Sequence, residues 1–298
     1  MKLKVNHNHG EATLHHIALT THKRRYPVAL TIAGSDSSGG AGIQADLKTF
    51  SALGVYGATA ITAITAQNTM GVRSVHAIPA QMVHEQIVAT IEDIKPKAIK
   101  IGMLANEEIA NSVAQTLQQY PIPIILDPVM VSSSGHTLLS TAAQATIKEQ
   151  LIPMAHLITP NIPEMEALAS TPLNTPNEKL EAARYLISLG ARAILLKGGH
   201  EEGDTKSDIL YQNDNGEIAI THFSTPTVTT RNIHGTGCTL SSAIAAHIAR
   251  GYNLREAISK AKSYIFSAIT SGADVAIGEG YGPVNHLFNP QKMTIYEE

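Results

Sequence analysis

The only cysteine of the 298-residue chain, Cys238, ends a glycine-rich turn in the segment NIHGTGCTLS (232–241). Glycine lets consecutive backbone amides converge on one point, so the amides from Gly235 through Thr236 and Gly237 to Cys238 could form an anion hole. A small, apolar run follows and predicts a helix, and the dipole at a helix N-terminus lowers the pKa of a thiol. The segment therefore predicts an anion-binding turn beside a reactive thiolate, with a buried and inert cysteine as the structural alternative.

A second glycine-rich stretch, AGSDSSGGAGIQADLKTF (33–50), follows an apolar run and opens another helical pattern. Its small residues permit a ligand to approach the backbone closely, and a helix N-terminus favours an anion or a polar group. Gly40, Gly42 and Ala45 fit the spacing of a dinucleotide fingerprint, but residues 47–84 contain no acid that could bind the ribose. No Walker phosphate-binding motif occurs either, so the stretch indicates a polar ligand other than a dinucleotide.

Three charged residues lie next to the ends of predicted strands or helices. Asp127 follows the apolar run IIL and precedes a proline, so it either faces a ligand at the sheet edge or belongs to a turn. Lys197 precedes two glycines, and its ammonium either reaches a phosphate or is solvated. Glu164 lies in the first turn of a predicted helix, where the dipole alone favours a carboxylate. On residue type alone, both kinds of role stay open for all three.

The elements that must position these residues alternate along the chain. Short apolar runs rich in β-branched residues predict strands at 28–33, 58–65, 98–101, 124–126, 157–159 and 193–197. Amphipathic patterns predict helices at 41–53, 80–94, 106–119, 140–151, 163–169, 177–189, 236–250 and 254–271. The turn signal NDNG (213–216) in a polar segment predicts a hairpin on one edge. This alternation predicts an α/β layered fold with a central, mostly parallel sheet flanked by helices.

Composition excludes a membrane protein and a disordered chain. Apolar residues make up 43% and charged residues 16% of the sequence, which is typical of a globular protein. No apolar run reaches the roughly 18 residues of a membrane-spanning helix, and the N-terminus lacks the apolar core of a secretory signal. A single cysteine cannot form an internal disulfide. We therefore expect a cytoplasmic protein without a membrane partner.

The formal net charge of −3 is unevenly distributed. Residues 1–26 contain five Lys and Arg against one Glu, together with five of the fourteen histidines. The remaining residues carry 17 basic against 24 acidic side chains, so electrostatics give no reason to expect a nucleic acid as partner. We expect residues 1–26 to be a flexible extension, with a histidine metal site as the alternative, and residues 27–298 to form one domain.

Six stretches of the chain carry a resemblance to a known family. They are AGSDSSGGAGIQADLKTFSALG, TAQNT (65–69), KIGML (100–104), TPNIPE (159–164), KGGH (197–200) and NIHGTGCTLSSAIAA. In this order they resemble the hydroxymethylpyrimidine/phosphomethylpyrimidine kinases of thiamin biosynthesis over about residues 28–288. The resemblance implies a ribokinase-like fold with a small β edge or lid. It also implies an ATP- and Mg²⁺-dependent kinase that phosphorylates 4-amino-5-hydroxymethyl-2-methylpyrimidine and then its monophosphate, and we expect a homodimer that pairs through the lid.

The resemblance also implies roles for residues around the transferred phosphate. Cys238 stands where most ribokinase-like sugar kinases have an aspartate base, so it would accept or orient the proton of the substrate hydroxyl while the Gly235–Cys238 amides hold the charge. The implied nucleotide contacts are Lys197, Asn161 and Thr225. The implied Mg²⁺ residues are Glu164, from the NxxE signature, and Asp127.

An aminopyrimidine pocket is implied in the same way. The carboxamide of Gln67 can pair with an amino group and the adjacent ring nitrogen at once. The other implied pocket residues are Asp46 as a second polar contact and Gly34, Met103 and Val129 as walls. A methionine at such a position is also typical of core packing.

Three alternatives remain beside this interpretation. Related kinases with the GTGC turn accept hydroxymethylpyridines, so a pyridoxal or pyridoxine kinase is one, although Gln67 in TAQNT favours the aminopyrimidine. A non-catalytic pyrimidine-binding protein on the same fold is another, and the joint presence of Cys238, Lys197, Asn161 and Glu164 argues against it. A cysteine hydrolase is the third, and no protease signature accompanies the thiol.

Overall fold

The computed structural model describes residues 24–130, 140–199, 203–214 and 216–297. The N-terminal extension expected over 1–26 falls outside these residues except for its last three. His200 of the KGGH stretch and Asn215 of the NDNG turn also lie outside them.

The described strands account for every strand expected from the sequence and add three. They are β1 (Arg24–Arg25), β2 (Val28–Asp36), β3 (Tyr56–Asn68), β4 (Gly71–Ala77), β5 (Ala98–Ile101), β6 (Ile124–Leu126), β7 (Leu157–Ile158), β8 (Ala193–Leu196), β9 (Thr205–Asp214), β10 (Glu217–Pro226) and β11 (Tyr296–Glu297). The three additions are β4, whose residues are mostly exposed, and the short β1–β11 pair. Neither has the apolar run that predicts a buried strand.

The helices also follow the amphipathic pattern closely. They are α1 (Gly42–Ala52), α2 (Ala80–Ile94), α3 (Glu107–Leu117), α4 (Thr141–Thr146), α5 (Ile162–Ala169), α6 (Pro176–Ser188), α7 (Thr236–Ala249) and α8 (Leu254–Ser271). The helix expected over 140–151 continues from α4 through a π turn at Ile147–Leu151. Capping boxes formed by an N-cap side chain and the Glu at N3 fix the starts of α5, α6 and α8.

Nine of the described strands form one sheet in the order β10-β9-β8-β7-β6-β5-β2-β3-β4. The strands from β8 to β3 in that order are parallel, whereas β4 and β9 pair antiparallel with their neighbours. The chain leaves β2 toward β3 on one side and continues from β5 toward β6 on the other. The crevice at the carboxyl ends of β2 and β5 is therefore the topological switch point, where sheets of this kind bind ligands.

Helices cover both faces of the sheet and make three layers. Along β6, Ile124 and Leu126 pack in one apolar cluster with α2–α6, while Ile125 packs in the other with α1, α7 and α8. This alternation follows from the two-residue period of a strand, and burial on both faces explains the continuous apolar runs in the sequence. The expectation of an α/β fold with a mostly parallel sheet is confirmed. None of the described helices combines the length and apolar character that crossing a membrane requires.

Candidate active site

The carboxyl edge of the sheet gathers most of the residues that the sequence singled out. Gly34 and Gln67 lie near the carboxyl ends of β2 and β3. Within three residues after the ends of β5, β6, β7 and β8 come Met103, Asp127, Asn161 and Lys197, respectively. Thr225 lies at the same edge, because β10 runs parallel to β8 across the antiparallel β9. The N-terminus of α7, with Gly235 as its N-cap, faces this edge through contacts with β2, β5 and β6.

The Gly235 turn packs directly against the first glycine-rich stretch. Gly235 has a φ of +78°, a left-handed conformation that favours glycine. A Cβ at this position would also collide with the carbonyl oxygen of Gly40. Any other residue at 235 would therefore push the starts of α1 and α7 apart.

Two helix N-termini converge on the thiol of Cys238. The residue lies in the first turn of α7, and the backbone N–H of Gly42, at the start of α1, favours the charged form of its sulfur. Burial nevertheless raises the pKa of Cys238 to about 11, and the cation of Lys100 and the Gly42 amide offset only part of this increase. The expectation that the helix dipole makes a thiolate accessible near neutral pH is therefore wrong for the free protein. Desolvation of the charged form outweighs the dipole.

Lys197 joins two carboxylates beside the α7 turn. Its Nζ lies 2.9 Å from Asp127 Oδ1 and 3.6 Å from Glu164 Oε2. Burial alone would lower the pKa of Lys197, but these two carboxylates raise it above its usual range. A Cβ built on Gly237 would lie 3.5 Å from the ammonium, so Lys197 reaches the turn that the sequence assigns to anion binding.

The carboxylates of Asp127 and Glu164 differ in which of their oxygens contact other protein groups. Asp127 is buried; its Oδ1 accepts from Thr159 and Lys197, and its Oδ2 shares the Ser241 hydroxyl proton with the Gly237 and Cys238 carbonyls. Glu164 uses Oε2 for its contacts with Lys197 and the Asn161 amide. Burial raises the pKa of Glu164, and the nearby Lys197 opposes that shift. Oε1 of Glu164 is thus the carboxylate oxygen best able to face a hydrated cation.

Glu164 has the structural role at a helix start that the sequence left open, and Asn161 shares that role. The Asn161 side chain accepts from the Glu164 amide at 2.8 Å, and Glu164 Oε2 accepts from the Asn161 amide at 2.8 Å. This reciprocal capping box fixes the start of α5. Both residues still lie beside Lys197, so the cap also positions them at the sheet edge.

A group of three or more His, Cys, Asp or Glu side chains suited to a metal ion does not occur in the described parts of the chain. Mg²⁺ needs only one or two carboxylates, because it keeps several waters and shares the phosphates of its nucleotide. The Lys197, Asp127 and Glu164 group, with two carboxylates and one ammonium, fits a hydrated Mg²⁺ of this kind, with Oε1 of Glu164 as the oxygen that Lys197 and the Asn161 amide do not use.

Asp46 lies beneath the site in a fully buried ion pair. Lys100 Nζ contacts its two oxygens at 3.0 and 2.9 Å, and Thr31 and Ser242 donate to them at 2.6 and 2.5 Å. All its described partners are thus protein groups, and neither member of the ion pair is exposed to solvent. The structure gives Asp46 a place in the framework and no open oxygen for a substrate.

The remaining pocket residues lie close together at the switch point. A Cβ on Gly34 would lie 3.1 Å from Met103 Sδ, so the two residues pack as one wall. The backbone N–H of Val129 donates a hydrogen bond to the Asp127 carbonyl oxygen. The carboxamide oxygen of Gln67 accepts from Thr65 Oγ1 at 3.1 Å, and its amide nitrogen Nε2 makes no hydrogen bond within the described residues.

Lys100 and Asp36 of this region were missed in the sequence. Lys100 is the one charged residue of the buried strand β5, and a lysine in an apolar strand is itself a signal of a buried partner. Asp36 and His234 form a buried contact of 2.8 Å that joins the two glycine-rich stretches. His234 thus directs Nε2 to Asp36.

A family model described as phosphomethylpyrimidine kinase matches residues 36–285 of the chain. The chain belongs to this family. It is therefore a kinase, a phosphotransferase, and the resemblance found in the sequence is confirmed.

Individual proteins agree with this assignment. The hydroxymethylpyrimidine/phosphomethylpyrimidine kinase of Escherichia coli (strain K12) is 46% identical over 261 residues, which cover 87% of this chain and 97% of the relative. The crystal structure of phosphomethylpyrimidine kinase from Clostridium difficile 630 has a TM-score of 0.71 and 43% identity, covering 81% of this kinase and 99% of that chain. Pyridoxal kinase from Staphylococcus aureus in complex with AMP-PCP and pyridoxal has a TM-score of 0.79 and 31% identity, and the match covers 92% of this chain and 100% of that chain.

The buried ion pair gives a test of stability. Asp46→Leu should lower the free energy of unfolding by about 3–5 kcal/mol, because it leaves the Lys100 ammonium buried without a partner. The double variant Asp46→Leu/Lys100→Met should recover much of this loss in urea titrations. Glu181→Gln, which breaks the exposed pair with Arg184, should change stability by less than about 0.5 kcal/mol. A single variant as stable as this control would show that the pair contributes little.

The thiol gives a test of the electrostatics. Protein labelled with ¹³Cβ-cysteine has one signal, from Cys238, and this signal should show no ionisation up to about pH 9.5 because burial raises the pKa to about 11. A midpoint near pH 7 would mean that the two helix N-termini outweigh desolvation.

Proposed function

We propose that the kinase transfers the γ-phosphoryl group of ATP to the hydroxymethyl group of 4-amino-5-hydroxymethyl-2-methylpyrimidine, and then phosphorylates the monophosphate, in thiamin biosynthesis. The observation that carries the proposal is the convergence at one sheet edge of the Gly235–Cys238 turn, the Lys197 ammonium beside Gly237, and the wall formed by Gly34 and Met103. Family membership supports the same reaction.

Charge stabilisation in this reaction falls to the α7 turn and Lys197. The bond from the substrate oxygen to phosphorus forms as the bond from phosphorus to the ADP oxygen breaks, and negative charge spreads over the transferred oxygens. Backbone amides of the turn would donate to these oxygens, and Lys197 would add a fixed positive charge. Mg²⁺, bound with ATP beside Glu164, would neutralise part of the negative charge of the phosphates.

Cys238 would act on the hydroxyl proton of the substrate. With a pKa of about 11, the thiol of the free protein is protonated at neutral pH. A base works best when its pKa is near the working pH, so the raised pKa of Cys238 favours a thiol that orients the hydroxyl over one that removes its proton completely before attack. The proton then leaves as the new bond forms, to water or to the phosphate.

Recognition of the pyrimidine would depend on Gln67. Its Nε2 group would donate to the ligand, while Oε1 lies 3.1 Å from Thr65 Oγ1, whose hydroxyl also contacts the Ser35 carbonyl at 2.9 Å. A ring nitrogen accepts from Nε2, and the exocyclic amino group would compete with Thr65 for Oε1. Asn161 and Thr225 would bind the nucleotide, since both lie on the Lys197 side of the edge.

We further propose a cytoplasmic homodimer with one kinase domain from 27 to 298 and a dispensable N-terminal extension. The β3–β4 hairpin exposes Ile64 on one face of the sheet, Val75 on the other and Met70 at its turn, apolar side chains that a second copy pairing at this edge would cover. We expect the extension to be dispensable because its composition differs from that of the remaining residues.

A substrate panel tests the function. ADP release from ATP and Mg²⁺ should be fastest with the aminopyrimidine alcohol, slower with pyridoxal and pyridoxine, and negligible with sugar alcohols. Gln67→Leu should weaken the aminopyrimidine about ten- to hundredfold while the KM for ATP stays near the wild-type value, because it removes the polar contact from the pocket.

The matched control is Gln81→Leu, the same change at an exposed position of α2. It should leave the KM of both substrates unchanged. Equal activity with pyridoxal and the aminopyrimidine would favour the pyridoxal kinase alternative, and binding of the aminopyrimidine without ADP release would favour the non-catalytic one.

A further inference from the structure

The carboxylate of Asp36 organises the first glycine-rich stretch from within. Its oxygens accept from the amide and hydroxyl of Ser38 at 2.9 and 2.8 Å and from the amides of Gly40 and Ala41 at 3.2 and 2.8 Å. The amides that the sequence offered to an external anion are thus bonded to an internal one. Burial opposes ionisation, but the bonds from His234 and Ser38 lower the pKa of Asp36 to about 2, so it is charged at neutral pH.

His234 connects this carboxylate to the α7 turn. Its Nε2 lies 2.8 Å from Asp36 Oδ2, and a charged carboxylate requires that this nitrogen donate. The amide of His234 donates to the Gly282 carbonyl at 3.0 Å, so the residue is held from two sides. The ring also lies where a Cβ of Gly40 would be, which brings the two turns into direct contact.

The contact between the turns determines the position of groups in the active site. Gly235, immediately after His234, packs against the Gly40 carbonyl and the Cα of Ala41, so the start of α1 lies directly against the turn that leads to Cys238. A shift of the His234 side of the turn would move both the Gly235–Cys238 amides and the thiol. Misplacement of reacting groups by about 1 Å costs about a hundredfold in rate.

We propose that Asp36 and His234 are positioning residues of this kinase, whose buried hydrogen bond fixes the Gly235–Cys238 turn against the start of α1. Neither residue contacts the transferred phosphate in this assignment. They act through the turn, so they determine kcat more than substrate affinity. The effect on kcat rests on the proposed function, whereas the effect on the turn itself does not.

The experiment compares His234→Ala with His234→Gln. The alanine variant loses the donor, and its kcat should fall about a hundredfold with the KM values for ATP and the pyrimidine little changed. Glutamine places an amide N–H at a reach similar to Nε2, so His234→Gln should restore most of the rate. Asp36→Asn keeps the shape of Asp36, should reproduce the loss, and should not add to it in the double variant with His234→Ala.

A second readout needs no substrate. Hydrogen exchange of ¹⁵N-glycine-labelled protein should show faster exchange of the Gly40 and Gly42 amides in His234→Ala, with global unfolding resolved separately. Asn253→Ala, which removes the N-cap of α8, is the control for stability loss alone and should leave kcat and these amides unchanged.

The outcomes separate the two proposals. Faster exchange at the two glycines without any kinase activity in the wild type would support the positioning role and contradict the proposed function. Unchanged exchange and kcat in His234→Ala would overturn the positioning role. The positioning role would also be overturned if His234→Gln did not restore the kcat lost in His234→Ala, or if that loss merely equalled the fraction of unfolded protein. If His234→Ala does not fold, Asp36→Asn gives the same comparison.

Discussion

The ion pair between Lys100 and Asp46 connects the elements on which the site depends. Lys100 belongs to β5 and Asp46 to α1, and the hydroxyls that complete the pair come from Thr31 on β2 and Ser242 on α7. Two charges without solvent exposure cannot separate without a large desolvation cost, so the four elements keep one relative position. The switch point between β2 and β5 and both glycine-led helix starts are fixed together as a result.

The same charges govern the chemistry above them. Lys100 lowers the pKa of Cys238, while Asp46, Asp127 and burial raise it. Because desolvation dominates, the two helix N-termini that meet at the thiol provide hydrogen-bond direction more than ionisation. At the other side, Lys197 is held between Asp127 and Glu164, which keeps a cation beside the α7 turn before any nucleotide arrives. A site with its charges already oriented needs little reorganisation when charge develops on the phosphoryl group.

The layered fold could be predicted because buried parallel strands leave continuous apolar runs, as in AIKI and IIL, and helices leave amphipathic ones. The glycine-rich turns and Lys197 could be placed at one edge because strand ends meet there. Contacts between distant segments could not be predicted. The sequence separates Asp36 from His234 by 198 positions and Asp46 from Lys100 by 54, and neither pair has a local pattern. The expectation of a lowered pKa for Cys238 was wrong for a related reason. The helix that provides the dipole can be recognised from neighbouring residues, whereas burial depends on the assembled fold.

In the proposed function, the site divides between elements that serve any hydroxymethyl substrate and elements that recognise the ring. The α7 turn and Lys197 would face the transferred phosphate, and their geometry depends on backbone amides and one ammonium. Gln67, Gly34 and Met103 come from β3, β2 and the loop after β5, on the other side of the switch point. A wider residue at 34 would displace Met103, whose sulfur lies 3.1 Å from the position of the missing Cβ, and so would alter the pocket without touching the turn. Ring specificity can therefore change by substitution on these three elements while the phosphoryl-transfer geometry is retained, which is consistent with the shared fold of the pyridoxal kinase from Staphylococcus aureus.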